Sequence, residues 1–305
     1  GLLLKDIVLT TTLIDMYTKC GALEKARELF DQLPMRNVVS WNSLMGGYIQ
    51  HGHHEEALTC FRHMQDGEIS PNAVTYMTIL KACSSLGASK IGKDIDMKIR
   101  KKGLLKKDVV LGNTLIDMYA RCGMLEKARE IFEQILVRDV VSWNAMIIGY
   151  AQLGDVHMVS KLFRKMSIKG FRPNPVTFLA LLTACSHGGL LKEGEKLFND
   201  MCIVFHLVPT LEHYTCLMDL FCRAGHFDKA KFFLGKVDSS HCHSLLLVFM
   251  GACAKWGNVN LGRWAFEQSL QLDEKCGAAY ICMENIYARA CMERETPNIE
   301  YVTEK

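Results

Sequence analysis

No apolar run in this 305-residue chain approaches the length of a membrane-crossing helix, which takes ~20 residues, so a soluble protein is expected. Charge of one sign is also lacking. Lys and Arg number 36 against 33 Asp and Glu, a net charge of +3. That permits a polyanionic partner without demanding one, and any basic surface must come from local placement. No Gly-rich phosphate loop and no GxSxG occurs, so neither a nucleotide cradle nor a hydrolase elbow is on offer. The thirteen cysteines include no pair separated by two residues. Without disulfide or metal spacing they read as small hydrophobes in a reducing compartment, and no cofactor is expected.

What the chain does have is repetition. Residues 103–136 read GLLKKDVVLGNTLIDMYARCGMLEKAREIFEQIL, and residues 1–34 match them at 23 of 34 positions. The same offset of 102 relates VVSWNSLMGGYIQHG at 38–52 to VVSWNAMIIGYAQLG at 140–154. A long internal period implies structural units that stack on their neighbours.

Aligning the recurrent turns gives units 7–37, 38–72, 73–108, 109–139, 140–174 and 175–210, and a seventh at 211–242. Residues 1–6 read as the end of a preceding unit, so the chain is expected to be part of a longer product. The lengths 31, 35 and 36 recur in order, making the true repeat a triplet of unlike units.

Each unit reads as two helices around a glycine. In 109–139, Leu111, Leu115, Met118 and Cys122 share one helical face. Gly123 interrupts, and Leu125, Ala128, Phe132 and Ile135 share the next face. Gly21, Gly52, Gly154 and Gly225 hold the equivalent turns. The expected fold is all-α: an α-solenoid, a right-handed superhelix of stacked helical hairpins. Trp41 and Trp143 follow the core spacing and are expected inside. Lys25, Arg27, Lys127 and Arg129 lie on second helices near Glu24 and Glu126, as a solvated outer face would.

These residues carry a resemblance. VVSWNSLMGGYIQHGHHEEALTCFRHMQDGEISPN and TLIDMYARCGMLEKAREIF resemble the pentatricopeptide repeat (PPR) proteins of land plants. The alternating lengths are similar to the subclass built of long, short and standard motifs. In its terms 7–37 and 109–139 are short (S) units, 38–72 and 140–174 standard (P) and 73–108 and 175–210 long (L), with 1–6 the end of an earlier L unit. Unit 211–242 is a second kind of S unit, 243–276 resembles the E1 motif of organellar RNA-editing factors, and 277–305 a degenerate or truncated E2 motif with a tail.

The resemblance implies binding of single-stranded RNA, one nucleotide per unit, read by the fifth residue of the first helix and the last residue of the unit. Those positions are Thr11 with Asn37, Asn42 with Asn72, Asn113 with Asp139, and Asn144 with Asn174, followed by Thr215. Val8, Val39, Val110 and Val141 would wedge between bases. An acceptor at Asp139 suits the N3–H of uracil, and amides at Asn72 and Asn174 suit cytosine, with uracil tolerated. Thr11 with Asn37 resembles an adenine-reading pair. Met77 with Asp108 and Leu179 with Thr210 begin with an apolar residue and would be indifferent. The implied core is A-Y-N-U-Y-N.

Unit 211–242 departs from the pattern, with Glu212 at the wedge and His241 or Cys242 at its end, and Leu246 stands where the family commonly has tryptophan. No enzyme is expected: His54 and Glu56 form an HxE, but the PCxxC that completes a zinc deaminase is absent from the chain. The resemblance therefore implies a site-recognition factor for C-to-U editing in a mitochondrion or chloroplast, with a deaminase-bearing protein or other editing factors acting in trans. RNA binding for splicing, stability or translation is one alternative. A protein–protein adaptor of tetratricopeptide type is another, though its constant period differs from the 31, 35, 36 alternation.

Overall fold

Short polar residues placed ahead of apolar turns start many of the first helices of the hairpins. In the computed structural model, which describes residues 7–106, 108–237, 239–273 and 275–290, seventeen α-helices form, and among the described residues there is no strand. Up to Gly149, one compact unit holds α1 (Ile7–Lys19), α2 (Leu23–Asp31), α3 (Val38–Gln50), α4 (His54–Asp66), α5 (Ala73–Leu86), α6 (Ser89–Lys101), α7 (Val109–Arg121), α8 (Leu125–Gln134) and most of α9 (Val140–Gln152). From Tyr150 the second holds α10 (Val156–Ile168), α11 (Pro175–Gly188), α12 (Leu191–Ile203), α13 (Leu211–Arg223), α14 (Phe227–Leu234), α15 (Ser239–Trp256), α16 (Val259–Leu272) and α17 (Gly277–Arg289).

Asn37, Asn72 and Asn174 each sit in extended backbone and cap α3, α5 and α11 through a capping box with Ser40, Thr75 and Thr177. The side chain satisfies N–H groups that a helix start leaves without partners. Gly123 closes the α7–α8 turn with φ of 73°, a left-handed conformation that costs a side-chain-bearing residue more.

In the first unit, helices α1, α3, α5 and α7 pack in succession, each with its own second helix beside it; α11, α13 and α15 repeat this in the second, and α17 packs on α15 and α16. This is the α-solenoid arrangement. Leu111, Leu115 and Met118 on α7 are buried, as are Ala128 and Phe132 on α8. Trp41 meets Phe30 edge-on at 4.5 Å between centroids, and Trp143 meets Phe132 at 4.9 Å. Arg36 and Arg138 cover the far faces of those phenylalanines at 5.1 and 4.8 Å. Both also donate to the carbonyls of Phe30 and Phe132, which closes the ends of α2 and α8. The tryptophans are core residues.

Helix α15 runs across the expected end of unit 211–242. α15 begins at Ser239, so a division at 242/243 falls inside a helix. His241, Cys242 and His243 include neither proline nor glycine, and nothing in that run stops a helix. The expected unit end 1–6 and the tail 291–305 lie outside the described residues.

Candidate nucleic-acid interface

The last residue of one unit is the N-cap of the next, and this places it beside the fifth residue of its own first helix. Asn42, half-buried on α3, donates from Nδ2 to Asn72 Oδ1 at 3.2 Å. The Thr75 hydroxyl lies 2.8 Å from Asn42 Oδ1 and 3.0 Å from Asn72 Oδ1. The same figure recurs in residues 109–142. Asn113 Nδ2 donates to Asp139 Oδ1 at 3.0 Å, and Ser142 Oγ lies 2.6 Å from Asn113 Oδ1 and 2.9 Å from Asp139 Oδ1.

These bonds fix which atoms remain. Asp139 Oδ1 accepts from the Ser142 N–H at 2.8 Å as well as from Asn113, which leaves Oδ2 as the acceptor that these bonds do not use. Asn72 Oδ1 is used alike by the Thr75 N–H at 2.9 Å, leaving the amide donor Nδ2. One joint offers an acceptor and the other a donor, on a common backbone frame. Desolvation pushes the Asp139 carboxyl upward, but hydrogen bonds from the Ser142 backbone and hydroxyl and from Asn113 outweigh it and hold the group below its ordinary value.

In unit 7–37 the fifth residue turns back onto its own helix. Thr11 donates to the carbonyl of Ile7 at 2.6 Å within its own helix, while Asn37 accepts from Val39 and Ser40. Asn144 is only 4% exposed on α9, and Asn174 caps α11. Asp108 accepts from the Leu111 N–H at 3.1 Å, with no hydroxyl at that third position. Thr210 caps α13 through the buried His213 ring: Nδ1 accepts from the Thr210 N–H at 3.2 Å, so Nε2 donates to the Pro175 carbonyl at 2.8 Å. Thr215 donates to Leu211 at 2.9 Å. Because α15 starts at Ser239, His241 and Cys242 stand inside a helix, and neither can serve as the capping last residue of unit 211–242.

Val39, Val110 and Val141 are 55%, 58% and 57% exposed, and Val8 is exposed too, at the first turns of their helices. Leaving large apolar groups in water at one register marks a surface with something to cover. Val74 and Val176 share this register and are also exposed. They were not among the expected wedges, although the rule of an apolar second residue would have found them. The third-position hydroxyls of Thr75 and Ser142 were likewise missed; their signal was the capping-box spacing.

A model described as the PPR repeat family matches residues 36–85 and 138–187. A second, described as PPR repeat, matches 8–38, 113–140, 176–202 and 212–242. The chain belongs to the pentatricopeptide repeat family. Among its relatives in Arabidopsis thaliana, the pentatricopeptide repeat-containing protein At1g08070, chloroplastic, is 39% identical over 287 residues, covering 93% of this chain and 39% of the relative. The putative pentatricopeptide repeat-containing protein At3g11460, mitochondrial, is 35% identical over 283 residues, covering 93% and 45%. The chain thus spans less than half the length of these two relatives. The crystal structure of PPR10 from maize has the same fold, with a TM-score of 0.67 at 19% identity over 94% of this chain and 42% of that one. PPR10 in complex with an 18-nt psaJ RNA element gives 0.73 at 18% identity, over 92% and 42%.

Elsewhere in this PPR chain the titratable groups serve packing. His51 bonds the Thr18 carbonyl at 2.7 Å and His53 bonds Glu56 at 3.2 Å. Among the described residues no three His, Cys, Asp or Glu side chains gather as a metal site would require. The described cysteines are free thiols. Desolvation pushes Cys83, Cys222 and Cys253 up to about 12, and Cys60 and Cys185 up to about 11. Arg27 and Arg129 pair with Asp31 and Glu133 at 2.9 and 3.2 Å on second helices. No periodicity or motif points to Asp96, buried on α6, which accepts from Arg100 and from Tyr119, each at 2.8 Å.

Proposed function

We propose that this chain reads a short single-stranded RNA, one base per unit, at the joints between units. The observation that carries the reading is the matched pair of joints, Asn42 with Asn72 and Asn113 with Asp139, each bonded the same way and each flanked by exposed valines. A base sliding between Val110 and Val141 would find the remaining oxygen of Asp139, an acceptor for the N3–H of uracil. At Asn72 it would find an amide donor, suited to cytosine N3 or uracil O2. Asn144 with Asn174 have the same residue types, Thr11 with Asn37 would take adenine, and the Met77–Asp108 and Leu179–Thr210 joints are indifferent. The core is A-Y-N-U-Y-N. The PPR10 complex supports RNA as the class of ligand.

In this reading the units keep the short, standard and long assignments, followed by the E1-like and truncated E2-like segments. The whole protein is a recognition factor that places a cytidine for C-to-U editing by a deaminase or other editing factor supplied in trans. The E1-like segment supports this, and the lack of PCxxC is consistent with the chemistry lying elsewhere. Relatives whose names are chloroplastic and mitochondrial support an organelle as its place of work.

The test is binding to a labelled RNA containing A-Y-N-U-Y-N beside a scrambled control. Tighter binding to the first by tenfold or more, at ~1–3 kcal/mol per discriminated base, is expected. Equal binding to both sinks the reading.

A further inference from the structure

The two readers of a joint are held by a third side chain, and its identity tracks theirs. Where the fifth residue is Asn, the third residue of the following unit is a hydroxyl: Thr75 after Asn42, Ser142 after Asn113, Thr177 after Asn144. Where the fifth residue is apolar, that position has no hydroxyl: Leu111 follows Met77, and His213 follows Leu179. Unit 7–37 completes the pattern from the other side. Its fifth residue is Thr11, and Ser40 sends its hydroxyl hydrogen to the Asn37 backbone carbonyl at 2.9 Å.

A hydroxyl has one hydrogen to give. At the 113/139 joint the acceptors within reach are Asn113 Oδ1 at 2.6 Å and Asp139 Oδ1 at 2.9 Å. Asp139 Oδ1 already accepts the Ser142 N–H and Asn113 Nδ2, whereas Asn113 Oδ1 is buried and has this hydroxyl as its donor. The shorter bond takes the hydrogen, and the 42/72/75 joint repeats the ordering at 2.8 against 3.0 Å. With Oδ1 tied inward, the amide of the first reader is locked with Nδ2 toward its partner and its remaining N–H toward the base. Without the hydroxyl, a buried oxygen would lack a donor, and the amide would turn to find one.

We propose that the third residue of the following unit is a positioning residue for base reading, which sets the face that an Asn reader presents. This rests on the proposed reading of bases at the joints. It makes each such joint a set of three side chains from two units, and it accounts for hydroxyls being absent where the first reader is apolar.

The test compares the full chain with Ser142→Ala and Ser142→Thr on two labelled RNAs, carrying U or C as the fourth base of the core. The wild type should prefer U, and Ser142→Ala should shrink the U-to-C ratio of dissociation constants by about fivefold, the scale of one ordinary hydrogen bond. Ser142→Thr should restore it. A loss of affinity for both RNAs with the ratio unchanged would overturn the proposal, because a helix cap alone predicts that result. A wild type with no preference would overturn the base reading itself, and the inference with it. Thr75→Val, which keeps the β-branched shape, supplies a second case if Ser142→Ala does not fold. There the preference for pyrimidine over purine at the second base should fall about fivefold, and an unchanged preference would overturn the proposal.

Discussion

The amide of Asn113 and the carboxylate of Asp139 are 26 residues apart in sequence and 3.0 Å apart in space. The contact is local in the stack, because Asp139 starts α9 while Asn113 lies on the first helix of the preceding unit. A residue that caps a helix and faces a ligand has two separable jobs, and substitution can separate them.

Asp139→Asn keeps a capping oxygen, so stability should change by only a few tenths of a kcal/mol, while preference at the fourth base moves from U toward C. Asp139→Ala should lose the cap as well, at ~0.5–2 kcal/mol. Thermal melts paired with RNA titrations separate the two. If Asp139→Asn weakens all RNAs alike, the residue is structural only.

Acid should reveal the same carboxylate. Its folded value lies below the ordinary one, which is about 3.9 in an unfolded chain. The unfolded state therefore binds the proton first, and stability from this group is complete above that value. It is lost as pH falls through the depressed folded value. Urea midpoints at neutral pH and at about pH 3.5 should lie closer together in Asp139→Asn than in the wild type. An equal gap in both would mean the group is not depressed.

Trp41→Ala should destabilise the first unit by ~3–5 kcal/mol, as emptying a well-packed aromatic site does. Trp41 is 4% exposed against Phe30, so its loss should leave the U-to-C preference unchanged once binding is measured below the melting range. A stacking platform would instead lose affinity without losing stability.

Gly47→Ala tests the closeness of α1 and α3. A methyl group there would overlap the Thr18 side chain, and overpacking of this kind costs ~1–3 kcal/mol. Removing the neighbour's Cβ in the double variant Gly47→Ala/Thr18→Gly should recover most of the lost melting temperature, measured against Thr18→Gly alone. Additive losses would show that the helices do not meet at this point.

Much of this protein was legible in the chain. A 102-residue period, apolar residues at helical spacing and glycine at the turns determine stacked hairpins, because those signals act over one or two turns of backbone and need no distant partner. The registers of Asn42, Asn113, Asn72 and Asp139 could be read in the same way. What each side chain presents could not. Only the stacking of α3 on α5 brings Thr75 within 2.8 Å of Asn42, and only the placement of α9 beside α7 brings Ser142 within 2.6 Å of Asn113. Asp96 and Tyr119, 23 residues apart, likewise meet only in the fold. The helix start at Ser239 did have a local signal, the Asp and Ser run at 238–240, residue types that favour helix starts. Sequence periodicity set which residues share a face; the packing of one unit on the next decided which of their polar atoms are spent and which remain to be read.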